Sequence, residues 1–425
     1  MNKKLSFLLL IYSCFAIAQQ QETPTNFSHF ITPEFLFGKT MPANTDFPEV
    51  NPQTGIILSL GNFNYNNDQE WATRLNHPRT GVAFGLINFG NPDDVGYAVS
   101  VLPFIEFDFF RKKRKDLKMH IGMGASYFNK KYDEETNPFN QGVTTNLTWS
   151  FRVFMYYDIL QKQKTNWRIG AGYYHHSNGH TRLPNQGFNS FLISASTQIK
   201  YNTKRDILSN INNETLSFNN SSNSYFSLRT GIGQSVLSED INDKREVYTI
   251  ALKYGKVYNN TYKIGVGFYY RFYEHYYDYI VNDGELVTEM YPEFKENPFR
   301  NATTLGVSID GELLLNHIGM FWQLGYNFSK PFYKVDWQLN QGYTYTIDTP
   351  NGPVQFTELG KLDSKYKAKS KVSSRLGLKY YLFGTKNMPK NNLFISAAIN
   401  ANLGQADFTE LSLGYVYSFN FKDRK

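Results

Sequence analysis

The stretch Leu117-Lys118-Met119-His120-Ile121-Gly122-Met123-Gly124-Ala125-Ser126-Tyr127 separates its residues into two alternating sets. Leu117, Met119, Ile121, Met123, Ala125 and Tyr127 are apolar, whereas Lys118, His120, Gly122, Gly124 and Ser126 are small, polar or charged. Successive side chains of a strand leave opposite faces of the sheet, so a period of two describes a strand with one apolar and one polar face. The pattern recurs along the chain. Tyr262, Ile264, Val266, Phe268, Tyr270 and Phe272 oppose Lys263, Gly265, Gly267 and Arg271, with Tyr269 the exception. Val372, Leu376, Leu378 and Tyr380 oppose Ser373, Arg375, Gly377 and Lys379. Near the end, Leu411, Leu413, Tyr415, Tyr417, Phe419 and Phe421 oppose Glu410, Ser412, Gly414, Ser418 and Asn420, with Val416 the exception.

Strands of a soluble sandwich run to about 5–6 residues, and many of these are roughly twice as long, which suits a tilted membrane strand. Composition agrees: mean hydropathy is negative, yet 17% of the 425 residues are aromatic, with 31 Tyr and 35 Phe. Half-apolar strands and aromatic belts at the two interfaces of a bilayer produce that combination. The expected fold is therefore all-β, a transmembrane antiparallel β-barrel. Strands are expected near 33–41, 54–62, 80–88, 95–110, 117–131, 141–158, 165–177, 188–202, 225–236, 245–256, 261–276, 301–315, 318–332, 371–384, 390–402 and 407–421, about 16 in all. An even count puts both ends of the barrel on the periplasmic side, with the long segments 277–300 and 333–370 outside. The segment Gly414-Tyr415-Val416-Tyr417-Ser418-Phe419 resembles the closing signal by which outer-membrane barrels are recognised for insertion.

Two segments, 63–79 and 203–224, are long for periplasmic turns. The second, with Asn219-Asn220-Ser221-Ser222-Asn223-Ser224, divides the strands into two groups of eight. One large barrel is the preferred reading, because two barrels in one chain are unusual; an eight-stranded barrel plus a second β-barrel unit is the alternative.

At the start, Lys3 and Lys4 precede the mostly apolar run Leu5–Ala18, which ends in Ala16-Ile17-Ala18 before Gln19. This reads as a signal peptide, 1–18, with the mature chain starting at Gln19. Cys14 is the sole cysteine, so no intramolecular disulfide can form, and the bulky Tyr12 disfavours acylation at Cys14. The organisation expected is 19–202 as one half, 203–224 as a polar connection and 225–425 as the other half. The formal net charge of +7 is modest, and its densest cluster, Arg111-Lys112-Lys113-Arg114-Lys115, reads as a solvated hairpin, with no nucleic-acid role.

The residues with most chemistry are His175-His176-Ser177-Asn178-Gly179-His180 and Pro184-Asn185-Gln186-Gly187-Phe188-Asn189. Trp167, Ile169, Ala171 and Tyr173 are the apolar parity of their strand, and the same parity carries His175 and Ser177 outward toward lipid. Phe191, Ile193 and Ala195 set the parity of the next strand, and counting back places Asn189 outward too. His175 is thus expected as general base to the Ser177 nucleophile, with Asn189 holding the imidazole tautomer. Backbone N–H groups at Asn178 and Gly179, or the Asn185 amide, would meet an oxyanion. The bland alternative is a set of interfacial polar residues. A metal site from His175, His176 and His180 is not expected, because the first two point to opposite faces and no carboxylate lies between Asp158 and Asp206.

These two motifs resemble the signature of the outer-membrane lipid A 3-O-deacylases (PagL), within the acyloxyacyl hydrolase group. The resemblance covers about residues 30–202 and leaves the part from about 225 on as an extension without an assigned role. It implies a single eight-stranded barrel, a Gram-negative outer-membrane location, and His and Ser in catalysis at the positions of His175 and Ser177. It also implies lipid A or lipopolysaccharide acyl chains and outer-membrane lipid as partners, with no cofactor or metal. The departure is Asn189, where the family has a glutamate; Glu134 or Glu135 could serve as orienter instead. The rival readings are a phospholipase-type acyl hydrolase and a non-catalytic porin or transporter, the latter with a lumen lined by Lys118, Lys263, Arg271 and Arg375.

Overall fold

The computed structural model describes residues 27–110, 114–202, 217–349 and 352–424. The expected signal peptide, Cys14 and Gln19 lie outside the described residues, as do 203–216 of the polar connection and 111–113 of the basic turn. Eight strands make the first unit: β1 (His29–Met41), β2 (Gln53–Phe63), β3 (Arg79–Asn88), β4 (Tyr97–Phe110), β5 (Arg114–Phe128), β6 (Leu147–Gln161), β7 (Thr165–Ser177) and β8 (Phe188–Tyr201). They follow chain order around a closed barrel, and β8 pairs back onto β1 from His29↔Tyr201 to Met41↔Asn189.

The second unit uses β9 (Asn220–Ser235), β10 (Arg245–Tyr258), β11 (Tyr262–Tyr273), β12 (Thr303–Leu315), β13 (Ile318–Ser329), β16 (Val372–Tyr381), β17 (Asn391–Asn402) and β18 (Gln405–Arg424), closed by β18 on β9. Between β13 and β16 lies a separate hairpin, β14 (Tyr343–Thr349) with β15 (Gly352–Glu358), which periodicity did not reveal.

The single sixteen-stranded barrel is thus overturned in favour of the two-unit alternative. All sixteen expected strands form, but parity and length describe each strand alone and carry no information on where the ladder closes. β9 also starts at Asn220, so most of the polar run assigned to the connection is strand.

Outward residues form an apolar belt on both units; Ile56, Leu86 and Ile193 of the first and Leu252, Val266 and Leu411 of the second are exposed. No helix among the described residues is long and apolar enough to cross a membrane. Inward residues fill the barrels, as the radius of an eight-stranded ring requires. In the first, Arg152 bonds both Glu34 oxygens at 2.7 Å, Tyr156 ties the same carboxylate at 2.8 Å, and Arg168 bonds both oxygens of Glu106 at 3.0 Å. The four cations that a porin would present to an open lumen are all paired and buried. Lys118 meets Asp108 at 2.6 Å, Lys263 meets Glu312 at 3.7 Å, Arg271 meets Asp407 at 3.5 Å and Arg375 meets Glu410 at 2.9 Å.

The units stand side by side with the same polarity. At one end Leu183, between β7 and β8, exchanges two hydrogen bonds with Asn242, between β9 and β10. At the other end the long β2–β3 connection explains itself. Its helix Glu70–Arg74 buries Trp71 and Ala72, Asn260 donates to Glu70 at 3.0 Å, and Arg74 donates to the Phe218 and Asn219 carbonyls at 3.0 and 2.7 Å. Ile105 and Met123 have outward parity but are only 1% and 6% exposed, because the helix of the β2–β3 connection together with the second barrel covers Ile105 and the second barrel stands over Met123.

Candidate active site

Register decides the geometry of this site. In the β6–β7 ladder Ser177 lies opposite Trp149 and His175 opposite Phe151; in the β7–β8 ladder His175 lies opposite Asn189. Directly opposed residues share a face at about 4.5–5.5 Å between Cβ atoms, so His175 and Asn189 meet outside the barrel wall. The imidazole Nδ1 stands 2.8 Å from Asn189 Oδ1. Tyr173, two residues back on the same face, donates its hydroxyl to that same oxygen and stacks on the His175 ring with 6.2 Å between centroids. With the amide oxygen facing the imidazole, Nδ1 is the nitrogen that donates, which leaves Nε2 with its lone pair.

Ser177 is 4% exposed, and two donors converge on its Oγ: Asn185 Nδ2 at 2.9 Å and the Gly179 N–H at 3.2 Å. Asn178 does something else. Its N–H donates to Asn185 Oδ1 at 3.0 Å, which turns the Asn185 amide nitrogen toward Ser177. Its side chain accepts from His180 N at 3.0 Å and donates to the Arg182 carbonyl at 2.7 Å, which folds the connection 178–187 into a compact loop. Among the described residues no hydrogen bond links the His175 ring to Ser177 Oγ; the two project outward from positions i and i+2 of β7.

Two glycines let the loop sit this close. At Gly187, φ is +75° and a Cβ would come within 2.9 Å of His175 Cε1. At Gly179, φ is +70° and a Cβ would lie 2.2 Å from Thr409 Oγ1 of the second barrel. Both positions need a residue that adopts positive φ and has no side chain.

The other histidines take separate paths. His176 faces inward, bonds Ser150 Oγ at 2.8 Å and packs edge-on against Phe89 and Phe128. His180 is buried in the loop, and burial lowers its pKa. Among the described residues no group of three His, Cys, Asp or Glu is arranged to hold a metal ion. Glu134 and Glu135 are exposed in the turn around Asp133 and make no contact with His175, which has Asn189 as its partner.

His175, Ser177, Asn185 and Asn189 open into a cleft of about 810 Å³. Sequence reasoning treated Tyr173 only as apolar parity and missed its hydroxyl. It also missed the far side of the cleft, formed by Ser374, Leu376, Ile399 and Ala401 of the second barrel, since no local pattern reports a contact between residues so far apart in the chain. Trp149 Nε1 bridges the two sides by donating to Thr409 Oγ1 at 3.0 Å. Another outward groove, about 860 Å³ along β9–β13, is lined mainly by Leu228, Leu252, Val266, Ile309 and similar side chains and contains no histidine.

No curated protein matches the chain. Among solved structures, the outer membrane enzyme PagL is 18% identical with a TM-score of 0.28, covering 39% of this chain and 97% of that one. An outer membrane channel from Pseudomonas putida F1 is 9% identical with a TM-score of 0.18, covering 95% of this chain and 100% of that one. Residues 57–198, from within β2 to within β8, match the family model of the lipid A 3-O-deacylase (PagL), so the first barrel resembles that family and the second is an extension beyond the match.

Proposed function

We propose that this chain is an outer-membrane serine ester hydrolase that removes an ester-linked acyl chain from lipid A. One observation carries the reading: a serine whose oxygen is met by two N–H donors lies beside an Asn-anchored histidine, on the outward apolar side of a barrel. In the proposed reaction His175 Nε2 takes the Ser177 proton as Oγ attacks the ester carbonyl carbon. The imidazolium returns that proton to the departing alkoxide, and water then releases the acyl group from Ser177. A base and nucleophile that are apart in the free enzyme commonly close on each other once substrate is bound.

Mass spectrometry of lipid A from cells with and without the full chain tests this reading. The expected result is a species lighter by one ester-linked acyl chain; unchanged lipid A in the presence of well-expressed wild-type protein overturns it. A phospholipase-type hydrolase would instead release fatty acid from phospholipid and leave lipid A intact.

Two variants probe the assigned roles. Asn185→Ala removes a donor placed at the reacting centre and is expected to lower kcat by about 10²-fold with little change in KM, the behaviour of an interaction that strengthens in the transition state. A change confined to KM would remove Asn185 from that role. Asn189→Glu puts a carboxylate where a neutral amide now accepts from the imidazole. Exchanging carboxylate for amide in serine proteases costs about 10⁴-fold, largely through the wrong tautomer. Here Tyr173 already holds the amide oxygen toward His175, so only the charge is missing and a gain of about tenfold is expected. An unchanged or lower rate in a folded Asn189→Glu variant would exclude the orienter role.

A further inference from the structure

We infer that the second barrel is the far wall of the substrate site, and that the acyl chain of the scissile ester lies between the two barrels. The inference rests on the ester-hydrolase reading and gives a role to the half of the chain that the family match does not reach. A nucleophile on the outside of an isolated barrel would face bilayer on every side. Here it faces protein. On the free side of the first barrel outward residues are exposed, Ile56 at 62% and Ile193 at 59%, whereas Met123, beneath the cleft, is 6% exposed. The second barrel shows the matching change along β17: Leu393 and Ile395 are outward and exposed, and farther along the same face Ile399 and Ala401 are half-buried.

The slot between these faces has two chemically distinct regions. Met123 and Phe151 on one side and Leu376, Ile399 and Ala401 on the other make its apolar part. Asn340, Gln341 and Lys369, from the connections above β16, make a polar rim, and Lys369 Nζ is held there by Gln405 Oε1 at 2.8 Å. Ser177 and His175 open onto the same slot. Glu239 lines the same cleft, so the rim carries both signs of charge, and the order suits an ester with a long alkyl chain on one side and a polar head group on the other. The volume of about 810 Å³ falls within the usual range for a ligand site. The walls are linked to each other by the Trp149–Thr409 bond and by the reciprocal Leu183–Asn242 pair.

The test uses the full chain, purified and folded in detergent, with nitrophenyl esters of four-carbon and fourteen-carbon acids. Ala401→Trp and Ile399→Trp fill the slot from the far wall and are expected to lower the long-to-short rate ratio by tenfold or more. Leu376→Ala removes bulk instead of adding it and is expected to raise the long-chain KM about fivefold, as loss of apolar contact with the substrate does. Leu393→Trp, outward on β17 but outside the slot, keeps the wild-type ratio. Heat-modifiable migration on gels identifies the folded variants. If folded slot variants keep the wild-type ratio and KM within twofold, the second barrel has no part in the site, while the hydrolase reading stands. A wild-type chain that hydrolyses neither ester and leaves lipid A unchanged overturns both.

Discussion

Ser177→Ala, expressed at the wild-type level and folded, is expected to leave lipid A as it is in cells without the protein, a loss of 10³-fold or more in deacylation rate. In the proposed reaction the hydroxyl supplies the bond-forming oxygen, and among the described contacts no second hydroxyl or thiol shares its two donors from Asn185 and Gly179. His175→Ala is expected to fall to a similar level, since groups that act as one unit fail together and not additively. The double variant should then be no worse than either single one. Rates are read by lipid A mass spectrometry over time after induction. Retained deacylation in Ser177→Ala would remove the serine from the chemistry, whatever the fate of the histidine variant.

The second large effect concerns stability. Glu34→Ala is expected to destabilise the first barrel by about 3–5 kcal/mol, because it leaves the Arg152 guanidinium buried without its carboxylate. Arg152 is fully enclosed, and its hydrogen-bond partners are the two Glu34 oxygens and the Tyr156 hydroxyl. The guanidinium also lies 4.0 Å over the Phe154 ring, which takes up part of its flat face but cannot replace a counter-charge. Urea unfolding in lipid vesicles measures the effect. Glu34→Leu combined with Arg152→Met should recover most of the loss, since a buried pair costs more to break than to replace with apolar groups. A loss below about 1 kcal/mol in Glu34→Ala would mean that water reaches Arg152 and that the interior is open.

Strand positions were legible because each strand carries its own alternation, and the outward set His175, Ser177 and Asn189 could be counted from Trp167 and Phe191 without any tertiary knowledge. Closure was not legible. The bonds that end the first ring join β1 to β8, from Met41↔Asn189 to His29↔Tyr201, far apart in the chain, and nothing in either strand names the other. The three oxyanion candidates were equivalent in sequence. Only the fold of the loop shows Asn178 N–H already committed to Asn185, leaving Asn185 and Gly179 to face Ser177. The hairpin β14–β15 escaped because it belongs to neither barrel and its short strands lack the length by which the others were recognised.

Each ring completes its ladder with its own first and last strand, so among the described residues no strand pairing passes from one unit to the other. Prising a ring open would sever a whole row of N–H···O=C bonds. Tilting one ring against the other disturbs side-chain links such as Asp68–Lys386 and Glu70–Asn260, each worth about 0.5–1.5 kcal/mol at most, and the apolar packing of Trp71, Leu75 and Ile105 against Tyr262, Leu313 and Met320. Mechanical compliance is therefore concentrated along the line where the units touch, and sideways compression from surrounding lipid acts first on the gap in front of Ser177.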